Sequence, residues 1–211
     1  MDKNKFAVEL FDHFAQQYQD QYMDVSLYHD SFDLFCDFLP PGSEVLEIAC
    51  GPGNITRYLL HNRPDLCLLA TDLSPNMLDL ARRHGPTADF QLLDCRHISK
   101  IGRTFHGLMG GFCLPYLSKE EAGKLIEDAA TLLRPDGVLY LSTMEGSYER
   151  SGWQGPSSGG PRKLFLYYHE ADQLVTSLQN HGFTLVDLRR KEYRNTKGEA
   201  VVDLILIARR S

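Results

Sequence analysis

The 211-residue sequence lacks the features that would tie it to nucleic acid, to a membrane or to a disulfide scaffold. Lys and Arg number 22 against 28 Asp and Glu, a formal net charge of −6. Grip on a phosphate backbone comes mainly from clustered basic residues, so nucleic acid is not an expected partner. No run of about 18 apolar residues suggests a membrane span, and the N-terminal segment has no apolar core of signal-peptide length, so a cytoplasmic location is the expectation. The five cysteines (Cys36, Cys50, Cys67, Cys95, Cys113) are odd in number and never form C-x-x-C, which argues against a disulfide framework and a zinc ribbon. Eight histidines without H-E-x-x-H spacing give no metal site.

What is present is an ordinary globular composition, 43% hydrophobic and 24% charged, in a length that suits one α/β domain over residues 1–211. Two helical stretches, 6–23 and 27–39, come first, with apolar residues recurring at three and four (Phe6, Leu10, Phe14; Phe32, Phe35, Leu39), and Pro40-Pro41-Gly42 ends this cap of residues 1–40. Short apolar runs then alternate with helical patterns, which predicts a mostly parallel sheet with helices on both faces. Strands are expected at 44–49, 66–72, 89–94, 107–111 and 137–143, and helices at 55–62, 75–83 and 119–133. Ser74 and Ser118 serve as N-caps, and Glu121 completes a capping box. Residues 145–163 are rich in Gly, Ser and Pro and carry no period, so they read as a flexible insertion. A helix near 170–180 follows, then two strands, 183–193 and 201–209, joined by the hairpin signal Asn195-Thr196-Lys197-Gly198.

The sharpest local signal is Val45-Leu46-Glu47-Ile48-Ala49-Cys50-Gly51-Pro52-Gly53-Asn54, an apolar strand that runs through glycines into a helix. Such a turn lets a ligand approach the backbone and the free N–H groups of the helix. The next two strands also end in acids, Asp72 and Asp94, at the edge where open α/β sheets bind ligands. Asp72 follows Gly53 at about the 20-residue distance at which an acid meets ribose hydroxyls.

On these residues the chain resembles the class I S-adenosylmethionine (SAM)-dependent methyltransferases, especially small-molecule enzymes related to those of ubiquinone and menaquinone biosynthesis. The resemblance runs from Tyr18 to the closing hairpin. It implies a Rossmann-like, doubly wound seven-stranded sheet in the order 3-2-1-4-5-7-6, with strand 7 antiparallel, and N-terminal cap helices. It also implies SAM as cofactor, S-adenosylhomocysteine as product and a small-molecule methyl acceptor. By resemblance, Glu47 holds the ammonium end of SAM, and Ala49, Gly51 and Gly53 form the turn that admits its methionine portion. Asp72 takes the ribose, Leu73 and Met77 lie beside the adenine, Asp94 and the Cys95 backbone contact its edge, and Tyr18 covers the pocket. Gly111 and Phe112 line the reacting centre. Apart from the resemblance, the position of residues 145–163 after the fifth strand and their glycines make them the expected mobile flap over the acceptor. Ala49 departs from the pattern, since the family usually has glycine there.

Two other readings stand beside this one. A SAM-binding protein without catalysis carries the same residues, because methyl transfer needs few diagnostic groups. A nicotinamide-dependent oxidoreductase shares the glycines and the distant acid, but its fingerprint wants a third small residue where Thr56 stands. Leu114-Pro115-Tyr116 looks like the tail of the motif of amino-methylating nucleic-acid enzymes without its leading Asn or Asp and first Pro. Tyr116 and His169 are the candidate general bases.

Overall fold

The computed structural model describes residues 3–155, 163–194 and 198–211. Five parallel strands come first: β1 (Glu44–Ile48), β2 (Cys67–Asp72), β3 (Asp89–Leu92), β4 (Phe105–Gly110) and β5 (Leu133–Met144). Two short strands, β6 (Gly152–Gln154) and β7 (Leu164–Leu166), pair only with each other. The chain closes with β8 (Phe183–Arg194) and β9 (Ala200–Arg210), and β9 runs antiparallel to both β5 and β8. The sheet order is β3-β2-β1-β4-β5-β9-β8. This is the expected 3-2-1-4-5-7-6 once β6 and β7, which lie outside the main sheet, are left out of the numbering.

The helices that cover the sheet are α4 (Asn54–Asn62), α5 (Pro75–His84), α6 (Lys119–Leu132) and α7 (Ala171–Asn180). Ser74 caps α5 by accepting from the Met77 amide, and Ser118 with Glu121 forms the full capping box of α6, so both starts follow from local sequence. Leu125 and Ile126 of α6 and Leu174 of α7 pack on one face against Leu46, Leu108 and Leu141. On the other face Ile55 and Leu59 pack against Val45, Met109 and Tyr140. Burial on both faces explains why the central strands read as continuous apolar runs.

The N-terminus departs from expectation. The first predicted helix breaks at Phe14 into α1 (Lys3–His13) and α2 (Ala15–Tyr22), and a single 3₁₀ turn, Ser26–Tyr28, precedes α3 (His29–Asp37). Only α1 and α2 sit over α5 as a cap. α3 belongs to the core, because Phe32 and Phe35 are buried against Tyr140 and Ile205. A cap of residues 1–40 is therefore too long.

Of residues 145–163, the described ones, 145–155 and 163, hold regular structure that their composition does not suggest. A one-turn helix, Tyr148–Arg150, leads into β6, and β6 pairs with β7 in register Trp153↔Phe165. The Trp153 ring meets Phe6 at 5.7 Å and Phe165 at 5.6 Å, both edge-on, and Lys3 Nζ lies 3.4 Å from the Phe165 ring centre. These non-local ring and cation contacts tie the short hairpin to α1, although Trp153 itself stays exposed. The flap glycines Gly159 and Gly160, and Asn195 to Lys197 of the hairpin signal, lie outside the described residues. No helix among the described residues is long and apolar enough to cross a membrane.

Candidate functional site

The C-terminal ends of β1, β2 and β4 meet at one edge, and the chain there leaves ordinary backbone geometry. Ala49, Gly51 and Gly53 have φ of 50°, 54° and 84°, and Phe112, just after β4, has φ of 56°. Gly53 has no substitute, because a Cβ there would stand 2.9 Å from the Ala81 Cα of α5. Ala49 and Phe112 are L-residues held in the left-handed region, which costs roughly 1–2 kcal/mol each. Strain of this kind gathers at ligand sites.

Two carboxyl groups flank the turn. Glu47 is 1% exposed, and its only hydrogen-bond donor among the described residues is Thr56 of α4, whose hydroxyl donates to Oε2 at 2.6 Å. Burial pushes its pKa up to about 8 against the opposing effect of Thr56. Asp72, half-buried, accepts from the Gly51 amide at 2.8 Å and the Ser74 amide at 2.8 Å. Burial raises its pKa, and the Ser74, Gly51 and Leu73 amides oppose the rise. Asp72 thus fastens the glycine turn to the start of α5. Neither acid forms an ion pair among the described residues.

α1 and α2 cover this edge. Asp12 accepts from the Ser74 hydroxyl at 2.7 Å and the Asn76 amide at 2.9 Å, which pins α1 to the first turn of α5. Tyr18 lies against the turn, its Cε1 3.9 Å from the Cβ position of Gly51. Its ring meets Tyr22 at 4.5 Å and Phe11 at 5.4 Å. Burial raises the Tyr18 and Tyr116 hydroxyls, and Tyr22 raises both further.

The structure brings Tyr18, Glu47, Ala49, Gly51, Gly53, Asp72, Leu73, Gly111 and Phe112 to this one edge. Met77 is farther in, 3% exposed beneath Phe11, Ala15 and Tyr18. Asp94 caps the following turn, and the Arg96 guanidinium binds both its oxygens, at 2.7–3.1 Å. That arginine holds the Asp94 carboxyl below its ordinary range despite burial. The Cys95 side chain packs against the main core.

The two candidate bases sit differently. Tyr116 reaches the cap, with its ring 5.1 Å edge-on from Phe11. His169 is fully buried, its Nε2 lies 2.9 Å from the Leu114 carbonyl, and its Nδ1 has no hydrogen-bond partner among the described residues. Burial lowers its pKa, so the neutral ring donates from Nε2, and the remaining lone pair is sealed inside the protein. This ring ties the segment after β5 to the turn after β4.

Sequence reasoning missed Asp12, Thr56 and Ser142. Thr56 was visible only as a residue unsuited to a dinucleotide turn, and nothing local links Asp12 to α5. Ser142 supplies the Oγ that accepts from the Phe112 amide at 3.0 Å and so supports the strained turn.

Residues 45–137 match the model of a methyltransferase domain. The trans-aconitate 2-methyltransferase of Variovorax paradoxus is 30% identical over 111 residues, 53% of this chain and 42% of that protein. The tRNA N(3)-methylcytidine methyltransferase trm141 of Schizosaccharomyces pombe is 23% identical over 167 residues, 69% of this chain and 66% of that protein. The chain spans about half the length of the curated relatives it matches. Among solved structures, the magnesium protoporphyrin IX methyltransferase of Synechocystis with bound SAM superposes with a TM-score of 0.73 at 18% identity, over 100% of this chain and 98% of that one. The chain therefore shares the fold of SAM-dependent methyltransferase structures, and its central segment, residues 45–137, matches a methyltransferase-domain model.

The strained turn and the buried acid each have a measurable consequence. Replacing Ala49 with glycine removes the left-handed penalty and adds a smaller entropic cost. Ala49→Gly is expected to raise the unfolding free energy by roughly 0.5–1 kcal/mol in urea titrations, and a loss of stability would show that the turn is unstrained. Glu47 in the folded state keeps its proton up to about pH 8, above the ordinary value of 4.5. The folded chain therefore holds more protons than the unfolded chain in that window, and stability falls as pH rises through it, by up to about 1.4 kcal/mol per unit. Glu47→Gln should flatten that decline between pH 5 and 8, and an identical slope in both proteins would rule out a neutral Glu47.

Proposed function

We propose that this chain is a methyltransferase that transfers the methyl group of SAM to a small-molecule acceptor, with residues 1–211 working as one domain. The observation that carries the reading is the pair of acids, Glu47 and Asp72, set without ion-pair partners on either side of a strained left-handed turn. Buried carboxyls are costly unless something pairs with them. A ligand with a cation at one end and a vicinal diol further along satisfies both.

The residues present fit SAM on that ground. Glu47 would face its ammonium, directly or through water, and the turn at Ala49, Gly51 and Gly53 would take the methionine portion. The four lone-pair positions of the Asp72 carboxylate outnumber the backbone amides that bind it, which leaves acceptor capacity for the ribose hydroxyls. Leu73 would border the adenine, with Met77 beneath it and Asp94 and the Cys95 backbone at its edge. When bound, SAM supplies an electrophilic methyl on a sulfonium. The chain's own task is then to hold the acceptor in line and keep water out, and positioning of that kind is worth about 7–11 kcal/mol in favourable cases. Gly111 and Phe112 would border the reacting centre, Tyr18 would close the cofactor side, and residues 145–163 would cover the acceptor side, with Trp153 against Phe6 of α1.

A small acceptor is supported over a nucleic acid by the net charge of −6. The basic residues of β8 at positions 189–191 are also already paired, Arg189 and Lys191 with Asp30 and Arg190 with Glu145. Thr56 speaks against a nicotinamide cofactor, since its buried hydroxyl serves Glu47 where a dinucleotide turn needs a small residue.

Calorimetry tests the reading. SAM and S-adenosylhomocysteine should bind with micromolar-class affinity and NAD should not. NAD binding without SAM binding would overturn the proposal. Asp72→Ala should weaken SAM by about 10–100-fold, the worth of hydrogen bonds to a charged group. Unchanged affinity in a protein that melts cooperatively would remove Asp72 from the ribose site.

A further inference from the structure

A third uncompensated carboxyl lies at the same sheet edge, beyond the cofactor residues. Asp203 of β9 pairs across the ladder with Met144, the last residue of β5, and is 0% exposed. Its Oδ2 accepts from the Tyr28 hydroxyl at 2.6 Å, and its Oδ1 is buried without a hydrogen-bond partner among the described residues. No cation pairs with it among the described residues. Lys191, its ladder neighbour on β8, gives its ammonium to Asp30 at 2.8 Å. Burial pushes the Asp203 carboxyl up to about 6, against the pull of Tyr28 and Tyr193.

Tyr28 links this acid to the reacting centre. Its half-buried ring stands edge-on to Phe112 at 5.2 Å, and Phe112 occupies the strained turn after β4. The same turn is anchored through Ser142. On the neighbouring β5 residue of that face, the Tyr140 hydroxyl lies 3.1 Å from Ser31 Oγ, and Ser31 donates to the Tyr28 carbonyl at 2.7 Å. Tyr28 is thus held at its backbone by one polar chain and at its hydroxyl by Asp203. An acid–phenol pair held at both ends beside the reacting turn, with a spare buried acceptor atom, is more than a surface tie needs.

We propose that Tyr28 and Asp203 form the proton-accepting pair of the acceptor site, and that the acceptor is a neutral molecule with an O–H or N–H group rather than a carboxylate. The inference rests on the methyltransferase reading. A carboxylate acceptor would need a cation at this position, and the nearby cations are already paired. A neutral donor instead satisfies the acidic pair. As the acceptor heteroatom bonds to the methyl carbon, the electrons of the broken sulfur–methyl bond return to sulfur. The heteroatom's proton passes to the Tyr28 oxygen, and the phenolic proton of Tyr28 passes to Asp203.

Phenol, its methyl ether anisole, and benzoate separate this role from simple packing. Their affinities are measured by ligand-observed NMR on the full chain saturated with S-adenosylhomocysteine. The wild type is expected to bind phenol at least about tenfold more tightly than anisole, and to bind benzoate no better than anisole. Tyr28→Phe and Asp203→Asn should each reduce that preference to below about threefold and leave anisole and S-adenosylhomocysteine affinities unchanged. Asparagine still accepts from Tyr28, so Asp203→Asn keeps the tie even if Tyr28→Phe loosens the fold. Benzoate binding ahead of phenol, no phenol preference in the wild type, or an undiminished preference in both variants would overturn the pair. Loss of stability with the preference intact would make Tyr28 and Asp203 a structural tie only. Failure of S-adenosylhomocysteine itself to bind would instead remove the methyltransferase reading and this inference with it.

Discussion

The site depends on keeping Glu47 out of water with no cation beside it. Among the described residues an ionised carboxylate in that position has only the hydroxyl and backbone amide of Thr56 to replace its hydration, so the folded chain holds it as the neutral acid. The surrounding architecture follows from that placement. β1 must be central, because only a strand covered on both faces carries a side chain to 1% exposure at its end. The backbone must then turn left-handed at once, so that α4 begins where Thr56 can reach back. Asp72 fixes that turn from the neighbouring strand.

A second polar system governs the other half of the edge. The hydroxyls of Ser142, Tyr140, Ser31 and Tyr28 connect the turn after β4 to the acid on β9. They do so through α3 and the 3₁₀ turn before it, which is why α3 belongs to the core rather than the cap. Glu47 and Asp72 flank the turn of the strained Ala49, and Asp203 reaches the strained Phe112 through the ring of Tyr28.

Much of this was legible in the sequence, wherever the signal was local or periodic. Alternating apolar runs and helical patterns gave the sheet, and the spacing from Gly53 to Asp72 placed both at one edge. The capping serines marked helix starts because a cap is a contact over three residues. Ala49 stood out as the non-glycine of the turn, and its left-handed φ confirms that the position asks for glycine's freedom. The rest was hidden because it is made by residues far apart. Asp12 meets Ser74, Tyr28 meets Asp203, and Trp153 meets Phe6, and no window of the chain contains both members of any pair. His169 looked like a base by its company and is a buried tie to Leu114.

The central claim is that Glu47 waits as a neutral acid for a cation. Calorimetric titration of SAM at pH 6, repeated in buffers of different ionisation enthalpy, tests it most directly. The account predicts release of close to one proton per SAM bound in the wild type, as the docked ammonium ionises Glu47, and none in Glu47→Gln. Binding with no proton exchange in the wild type, or the same release in the variant, would contradict it.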